Sequence, residues 1–274
     1  MTESERVRVE MRSSLAVVTL ARPDKHNAMD FRMLNAVRKT ARSLRRERSL
    51  RAVVIHGMGP SFCAGLDVKS VFGDRTALAR GYLALWSPVR NRFQDWSMAW
   101  RELPVPVIAA VHGNCFGAGL QLALGADIRI ATADARLSVM EAKWGLVPDM
   151  GGTVLMRELI AIDIAKELTM TGRILTGADA HGLGLVTHLD ADPLGHAFRL
   201  AAELATRSPD SVAASKFLLQ EAWSAGPRAA LASERKWQRR ILGRANQRIA
   251  IRRNAGPARP DAAEAPPFGP RRLR

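Results

Sequence analysis

The sequence predicts a layered α/β fold, and three features of the chain support this prediction. Short runs of β-branched and other apolar residues, typical of strands, recur over roughly the first 190 residues. Glycine-containing turns join these runs to segments with helical spacing. Beyond that point only helical spacing remains. The 274 residues, 47% of them hydrophobic, are enough to bury a sizeable core.

The first third of the chain reads as two strands, a helix and a third strand. Residues 7–11 alternate between apolar and polar, and residues 15–20 are more fully apolar. A loop marked by proline and asparagine follows, after which Asp30 can cap a helix. Residues 51–57 then predict a strand that a glycine ends. The apolar face of the predicted helix is formed by Phe31, Leu34, Val37, Ala41 and Leu44.

The middle of the chain repeats this strand and helix order. Residues 76–101 have helical spacing that Pro88 interrupts or kinks. Residues 106–113 predict a buried strand, and residues 117–127 predict a short helix that opens on glycines. Two further short strands, "DIRIAT" and "ARLSVM", follow this helix. The sequence therefore predicts alternating strands and helices in one layered core.

The predicted organisation has three parts. The α/β core covers residues 1–195, and a helical region covers residues 196–253. From Asn254 onward proline, alanine and glycine dominate, so residues 254–274 are predicted to be a disordered tail.

Charge and cysteine content limit the function classes. The net charge of +15 favours an anionic partner, such as nucleic acid, a membrane surface or a phosphate-bearing ligand. The alternative is a solvated surface, because much of the arginine lies in residues 37–51 and 270–274. Two cysteines, Cys63 and Cys115, make neither a disulfide framework nor a zinc-ligand spacing. We therefore expect a reducing compartment and no metal.

The sequence also predicts a cytoplasmic protein. Its first residues are acidic and polar, and they lack the pattern of a signal peptide. The most apolar stretch, residues 104–128, is broken by histidine, asparagine, glutamine and glycines, so we expect no membrane span.

Two glycine-rich stretches are the strongest candidates for chemistry. Residues 61–68, "SFCAGLDV", and residues 113–121, "GNCFGAGLQ", each follow a buried strand. The second opens a helix, where backbone N–H groups are free of intrahelical partners. Two such groups that face one point form an oxyanion hole. Each stretch alone is usually an ordinary turn, but the pair favours a site.

Six stretches of the chain, which together span most of residues 5–220, resemble the crotonase, or enoyl-CoA hydratase/isomerase, family in their order and spacing. They are "ARPDKHNAMD" (21–30), "SFCAGLDV" (61–68), "PVIAAVHGNCFGAGLQLALGADIRIAT" (106–132), "EAKWGLVPDMGGT" (141–153), "AKELTMTGRILTGADAHGLGLV" (165–186) and "SPDSVAASK" (208–216). The resemblance implies a spiral of ββα units followed by C-terminal helices that build a homotrimer, often paired into a hexamer. It also implies an acyl-CoA substrate, rather than nucleic acid, and no cofactor beyond that thioester.

The resemblance also implies roles for particular residues. The backbone N–H groups of Leu66 and Ala118 match the family's two oxyanion donors, which hold the thioester oxygen. Many family members have glycine at the Ala118 position, but alanine keeps the N–H group. Substrate and CoA contacts are expected at Lys25, His26, Ala28, Ala64, Gly65, Asp67, Val68, Lys69 and Gln121. For His26 and Lys69 the alternative is an exposed cation with no partner.

The acidic residues favour isomerisation over hydration. Family hydratases hold and split a water with two glutamates, and the first of these positions is Gln121 here, while the second is Glu141. Asp149 lies eight residues after Glu141, which is the separation of the catalytic pair in the dienoyl-CoA isomerase branch. In that branch the aspartate takes a proton near the thioester and the glutamate returns one further along. The branch has aspartate at the Gln121 position, so the match is incomplete.

Other interpretations remain open for several of these residues. Asp149 could cap the next helix, Glu141 could lie at the surface, and Gln121 could hydrogen-bond to solvent or substrate. His112 and Cys115 are better explained as core residues than as catalysts. Tyr82, Leu85, Trp86 and Trp96 could line an acyl pocket or only pack.

The alternative from another class is a protein of this fold that has lost turnover. Such a protein would bind nucleic acid or another polyanion through its basic charge.

Overall fold

A six-stranded sheet forms the centre of the molecule. The computed structural model describes residues 6–73, 75–254 and 266–273. The strands in spatial order are β1 (Val7–Arg12), β2 (Leu15–Leu20), β3 (Ala52–Gly57), β4 (Val107–Val111), β6 (Ile128–Ala131) and β9 (His188–Leu189). β1 is antiparallel to β2, and all other neighbours in this sheet are parallel.

A smaller sheet of three strands lies beside it. β7 (Arg136–Ser138) is central, parallel to β5 (Asn114–Phe116) and antiparallel to β8 (Leu175–Thr176). Single-turn 3-10 helices cover Pro23–Lys25 and Glu141–Trp144. The helices are α1 (Phe31–Leu44), α2 (Val68–Gly73), α3 (Arg75–Ala84), α4 (Asp95–Arg101), α5 (Ala118–Leu124), α6 (Gly152–Met156), α7 (Ile162–Thr171), α8 (Gly177–Gly182), α9 (Pro193–Ala205), α10 (Pro209–Ala222), α11 (Pro227–Ile241) and α12 (Ala245–Asn254).

Both faces of the large sheet are buried, which explains why its parallel strands are apolar throughout. Val53 and Ile55 of β3 point into the main core, which α1, α4 and α5 cover. Ala52 and Val54 point to the opposite face, where they meet α9. α9 crosses the predicted boundary at residue 195, so packing on the core sheet continues beyond that residue.

The helix predicted after Asp30 is α1. The Asp30 side chain accepts a hydrogen bond from the Met33 N–H (2.7 Å), as expected for a cap, and it also accepts one from Arg6 (2.7 Å). The predicted apolar face is buried except at Phe31, which is half-buried.

Two predicted helical stretches, residues 76–101 and the helical region 196–253, are each divided into separate helices. Residues 76–101 contain α3 and α4, with irregular chain around Pro88 between them. α11 and α12 are separated by a turn at Gly243, whose φ of 72° lies in the left-handed region. None of the described helices is both long and apolar enough to cross a membrane.

The prediction of a disordered tail over residues 254–274 is wrong for the described part of that tail. Asn254 ends α12, and residues 266–273 pack against the body of the protein. Arg271 is only 2% exposed. The N–H groups of Arg272 and Leu273 donate to Asp210 Oδ1 at 2.7 and 3.1 Å. Composition misled the prediction, because the acceptor that orders this segment lies about 60 residues earlier in the chain.

Candidate active site

Residues 61–67 run beside the loop that precedes α1. The Met29 N–H donates to Gly65 O at 2.7 Å, and the Asp67 N–H donates to Met29 O at 2.9 Å. These two bonds flank Leu66, which forms a parallel bridge with Met29. In such a bridge the central residue directs its own N–H to the opposite side. The Leu66 N–H therefore points away from Met29.

The opposite side of this segment faces the start of α5. The Cys63 N–H donates to Asn114 O, and the Phe116 N–H donates to Cys63 O, both at 3.0 Å. Gly65 has a φ of 93°, and a Cβ there would lie 2.7 Å from Phe116 O and 3.8 Å from Ala118 N. Only glycine permits this approach. The two predicted glycine-rich stretches are thus in direct contact.

Two backbone N–H groups are left without acceptors at this contact. Among the described residues, neither the Leu66 N–H nor the Ala118 N–H donates a hydrogen bond to the protein. The preceding N–H, of Gly117, is bound to Ser138 O at 2.9 Å. A Cβ on Gly119 would overlap the Cys63 carbonyl oxygen, so α5 begins against the strand end. This arrangement can accept a ligand oxygen.

Glu141 lies next to these groups. A Cβ on Gly117 would be 3.4 Å from Glu141 Oε1, which places the carboxylate at the start of α5. Glu141 is 9% exposed, so its interpretation as a surface residue is wrong. Its Oε1 accepts from Gln121 Nε2 at 2.6 Å, whereas its buried Oε2 has no hydrogen-bond partner among the described residues.

Burial raises the pKa of Glu141. The hydrogen bond from Gln121 acts in the opposite direction, and the charge of Asp149 raises the pKa further. Such a carboxyl group holds its proton at a higher pH than an ordinary glutamate does. Glu141 can therefore donate a proton through Oε2 as well as accept one there.

Gln121 has a different position from the predicted one. Its side chain is 1% exposed, and its Oε1 accepts from both the Met150 N–H and the Gly152 N–H at 2.9 Å. Because Nε2 is bound to Glu141 and the side chain is buried, the interpretation of Gln121 as bonded to solvent is wrong, while its contact with substrate stays a prediction. Gln121 therefore links Glu141 to the loop that carries Asp149 through its side-chain hydrogen bonds.

Asp149 precedes α6 but does not cap it. The cap position is Gly151, and the side chain that bonds to the first turn, at the Gly152 N–H, is that of Gln121, so the interpretation of Asp149 as a helix cap is wrong. Asp149 is exposed, yet neighbouring protein atoms partly desolvate its carboxyl group and thereby raise its pKa. Asp149 is close enough to Glu141 to influence the pKa of that residue.

The predicted CoA contacts divide into two groups. Lys25, His26 and Lys69 are exposed, and the ring of His26 bonds through Nδ1 to Ser61 Oγ at 2.9 Å. The Asp67 carboxylate instead forms contacts within the protein. It pairs with Arg22 (2.7 Å) and accepts from the Ser70 N–H (3.1 Å) at the start of α2. The remaining predicted contacts, Ala28, Ala64, Gly65 and Val68, lie on the two segments that flank the Met29 bridge.

Two other expectations concern residues outside the chemistry. Cys115 is a buried free thiol, as predicted for a core residue, whereas His112 is only half-buried and donates through Nε2 to Gly59 O at 2.8 Å. Within the described residues, no group of three or more histidine, cysteine or acidic side chains could hold a metal ion.

Sequence reasoning missed the part of the site that α4 supplies. The local sequence gives no indication of a role for Ser97, and for Trp96 it predicts only that the side chain lines an acyl pocket or packs. In the structure both side chains bond to carbonyl groups of the site, those of Met150 and Ala118. Nothing in the local sequence indicates these partners, because they lie more than 20 residues away.

Comparison with known proteins gives the family. The family model described as enoyl-CoA hydratase/isomerase matches residues 10–253. The chain is 31% identical over 217 residues to the enoyl-CoA hydratase EchA19 of Mycobacterium tuberculosis, which covers 75% of this chain and 77% of that relative. It is 33% identical over 213 residues to the mitochondrial Delta(3,5)-Delta(2,4)-dienoyl-CoA isomerase of Rattus norvegicus. That match covers 74% of this chain and 64% of the rat enzyme.

Solved structures agree with this result. An enoyl-CoA hydratase from Polaromonas sp. JS666 has a TM-score of 0.81 at 30% identity and covers 89% of this chain and 95% of its own. A Thermobifida fusca YX structure in complex with CoA has a TM-score of 0.78 at 31% identity, and covers 87% and 93%. The predicted crotonase-like fold is confirmed, and the comparisons give no support to a polyanion-binding protein without turnover. The chain belongs to the enoyl-CoA hydratase/isomerase family, whose members act on acyl-CoA thioesters.

Proposed function

We propose that this protein isomerises a dienoyl-CoA thioester by passing a proton between two carboxyl groups. One observation carries the proposal. The buried Glu141, with a single unpartnered oxygen, lies beside two unpaired backbone N–H groups, while Gln121 replaces the second carboxylate that hydration requires.

The N–H groups of Leu66 and Ala118 bind the thioester carbonyl oxygen in this proposal. When C2 loses a proton, negative charge moves to that oxygen, and two donors already in place stabilise it without reorganisation. Donors of this kind typically contribute about 3 kcal/mol each to transition-state stabilisation. The close approach at Gly65, where a Cβ would lie 3.8 Å from Ala118 N, supports a shared binding point for the two donors.

The two carboxyl groups move the protons. Asp149, as the carboxylate, takes a proton from C2 of a 3,5-dienoyl chain, and the electron pair of that C–H bond enters the conjugated system. Glu141, as the acid, then returns a proton to C6 through Oε2, which yields the 2,4-diene. One proton leaves the substrate and one is added, so the product is an isomer. The raised pKa of Glu141 supports its role as the acid.

Hydration is disfavoured by the bonds of Gln121. A hydratase of this family holds its water between two carboxylates, one of which accepts a proton while the other donates one. Here the amide of Gln121 cannot exchange a proton, and its oxygen is bound to two backbone N–H groups. A water at this place would meet only Glu141 as an acid or base.

CoA recognition is assigned to the exposed cations near the first motif. Lys25, His26 and Lys69 surround the chain segments that meet at the Met29 bridge, and phosphate groups favour such cations. The Thermobifida fusca relative in complex with CoA supports a CoA ligand for this protein. Asp67 is left out of this assignment, because Arg22 neutralises it.

A paired assay tests the proposal. Purified protein is given a 2-trans-enoyl-CoA, monitored by loss of the enoyl absorbance, and separately a 3,5-dienoyl-CoA, monitored by gain of the 2,4-diene absorbance. We expect turnover of the dienoyl substrate that falls by at least about 100-fold in both Glu141→Gln and Asp149→Asn. Hydration alone, or full activity of Glu141→Gln on the dienoyl substrate, would refute the proposal.

We also propose assembly as a homotrimer. Large apolar side chains are exposed on the C-terminal helices of the isolated chain, and a cavity of 480 Å³ lies beside Leu219 and Trp223. Contiguous exposed apolar surface of this kind marks an interaction site. Light scattering on the purified protein should give three or six copies, and a monomer would contradict the assignment. In the same C-terminal region of the described chain, Leu231, Leu242 and Ile251 are also exposed.

A further inference from the structure

The helix α4 contacts both halves of the proposed active site through two consecutive residues. Trp96 is fully buried, and its Nε1–H donates to Ala118 O at 2.7 Å. Ser97 is also fully buried, and its hydroxyl donates to Met150 O. One bond therefore ends on the residue whose N–H is an oxyanion donor, and the other ends beside Asp149.

The packing around Ser97 leaves little freedom for this arrangement. A Cβ on Gly125, just after α5, would lie 2.5 Å from Ser97 O, and a Cβ on Gly151 would lie 2.6 Å from Ser97 Oγ. Backbone of both neighbouring segments thus approaches α4 more closely than any side chain would permit. A shift of α4 would move α5 and the Asp149 loop together.

A cluster of charges fixes α4 in turn. Asp95, the first residue of the helix, is 5% exposed and forms ion pairs with Arg38 (2.9 Å), Arg42 (2.7 Å) and Arg90 (2.6 Å). Arg38 and Arg42 belong to α1, so these pairs attach α4 to a long helix of the core. Charge-assisted bonds to a buried carboxylate are among the strongest in proteins.

We propose that Trp96 and Ser97 are positioning residues that hold the oxyanion donor of Ala118 and the Asp149 loop in register. The proposal rests on the function proposed above, in which Asp149 takes a proton from C2 and the Ala118 N–H binds the oxygen of the adjacent thioester carbonyl. A misplacement of about 1 Å between such groups can cost about 100-fold in rate.

The indole bond is tested with a matched pair of variants. Trp96 and Trp100 lie one turn apart on α4 and are both fully buried, but the Trp100 Nε1–H has no partner among the described residues. Trp96→Phe and Trp100→Phe therefore remove the same atoms from the same helix. We expect kcat to fall about tenfold in Trp96→Phe with KM within about twofold, and to stay within about twofold in Trp100→Phe. Equal changes in the two variants would overturn the proposal.

The hydroxyl bond is tested through the pH dependence of kcat. Loss of the bond from Ser97 loosens the loop that carries Met150 and Asp149, so the Asp149 carboxyl group becomes more hydrated. The pKa of Asp149 then moves back toward that of an ordinary aspartate. In Ser97→Ala we expect a lower kcat and an acid limb at lower pH. Trp96→Phe should leave the acid limb in place. An unchanged acid limb in Ser97→Ala, with only a lower melting temperature, would show that Ser97 is merely structural.

Parallel measurements on Glu141→Gln separate this proposal from the proposed function. If Glu141→Gln keeps full activity, the proposed function fails whatever the α4 variants do. If the wild type acts only as a hydratase, the Trp96 and Trp100 variants are compared on the enoyl substrate, because the same oxyanion donors serve that reaction. If Glu141→Gln is inactive while Trp96→Phe behaves like Trp100→Phe, only the positioning role is refuted.

Discussion

Burial of the Glu141 carboxyl group, the acid of the proposed function, destabilises the folded protein at pH values above the ordinary glutamate pKa. Its pKa is raised mainly by burial, so the folded state keeps a proton that the unfolded chain releases at lower pH. Stability from this residue is therefore fully present below the ordinary glutamate pKa and is lost as pH rises toward the folded-state pKa. Active-site groups commonly carry such a cost, since function requires them to be buried.

The first prediction is that Glu141→Gln loses turnover, and that its stability relative to the wild type increases as the pH rises. The neutral amide has no charge to desolvate, so the variant should melt at a higher temperature than the wild type at pH 8 and at a similar one at pH 4. Thermal unfolding at both values checks this. The exposed Glu203, exchanged for glutamine, is the control and should show no such trend. A wild type that is more stable than Glu141→Gln at pH 8 would contradict the burial cost.

The second prediction concerns Gln121→Glu. Its oxygens can still accept from Met150 and Gly152, but a second carboxyl group would face Glu141 Oε1 across the present 2.6 Å contact. Two carboxylates this close cannot both ionise easily, so the pKa of Glu141 should rise further. The alkaline limb of kcat should move to higher pH, as measured with the dienoyl substrate. An alkaline limb that stays in place or moves to lower pH would count against the role of Glu141 as the acid.

At the scale of elements, close backbone approach builds the site. The start of α5 lies against the end of the chain segment at Cys63, with no room for a side chain on Gly119. The third prediction is that Gly119→Ala destabilises the protein by about 3 kcal/mol, because the methyl group forces the two segments apart. Denaturant unfolding measures this value.

A glycine at a helix end serves as the control for that prediction. A Cβ on Gly182, the last residue of α8, meets nothing within 4 Å, and its φ is not in the left-handed region. Gly182→Ala should therefore be neutral or slightly stabilising. Equal stability of the two alanine variants would mean that the contact at Cys63 relaxes without cost.

The fourth prediction is that Asp95→Asn destabilises the protein by about 2 kcal/mol near neutral pH, because the buried carboxylate that Arg38, Arg42 and Arg90 share is replaced by an uncharged amide. Burial alone would raise the pKa of Asp95, but the hydrogen bond from Arg38 and the charges of Arg90, Arg38 and Arg42 lower it. Its stabilisation is thus present above the ordinary aspartate pKa and is lost as pH falls. Chemical denaturation at pH 7 and pH 3 should show the difference from wild type shrinking in acid; a constant difference would contradict the charge-based account.

At the scale of the molecule, the described C-terminal segment, residues 266–273, packs against the body of the protein and bonds to Asp210. Asp210 is 4% exposed at the start of α10, and it accepts from the Arg272 N–H, the Leu273 N–H and Asn246 Nδ2. The fifth prediction is that a chain shortened after residue 265 loses about 2 kcal/mol of stability, because this buried carboxylate then lacks two of its donors.

A single substitution controls for the loss of side chains. The bond from Arg272 to Asp210 is made by the backbone, and the Arg272 side chain is exposed. Arg272→Ala should therefore melt close to the wild type, whereas the shortened chain should melt at a lower temperature. If both melt alike, the segment contributes nothing to stability.

The high positive charge is partly structural. Arg38, Arg42 and Arg90 converge on one aspartate, and Arg22 pairs with Asp67. Arg129 is buried with its guanidinium bonded to the carbonyl groups of Leu185 and Ala126, so its charge does not face an external polyanion. The cytoplasmic location inferred from the sequence stays a prediction.

The sequence alone was sufficient for the α/β class, the family, the candidate carboxylates and most strands and helices of the first 140 residues, but it did not predict β5, β8, β9 or the helices α6, α7 and α8. These features depend on local patterns, such as apolar runs, glycine turns and motif spacing, which can be recognised without knowing the tertiary contacts of each residue. The contact between the two glycine-rich stretches could be predicted for the same reason, because each directly follows a strand of one parallel sheet.

Only the tertiary structure decided which polar groups remain free for chemistry. Gln121, Asp67 and Asp210 all look available in the sequence, yet each is bound to protein groups that are distant along the chain or unmarked by any motif. Trp96 and Ser97 likewise find their acceptors across the fold. The physical reason is that buried polar groups must be hydrogen-bonded, and packing chooses the partner. The sequence therefore determined which chemical groups are present, and the fold determined that Glu141 Oε2 and the N–H groups of Leu66 and Ala118 have no partner among the described residues.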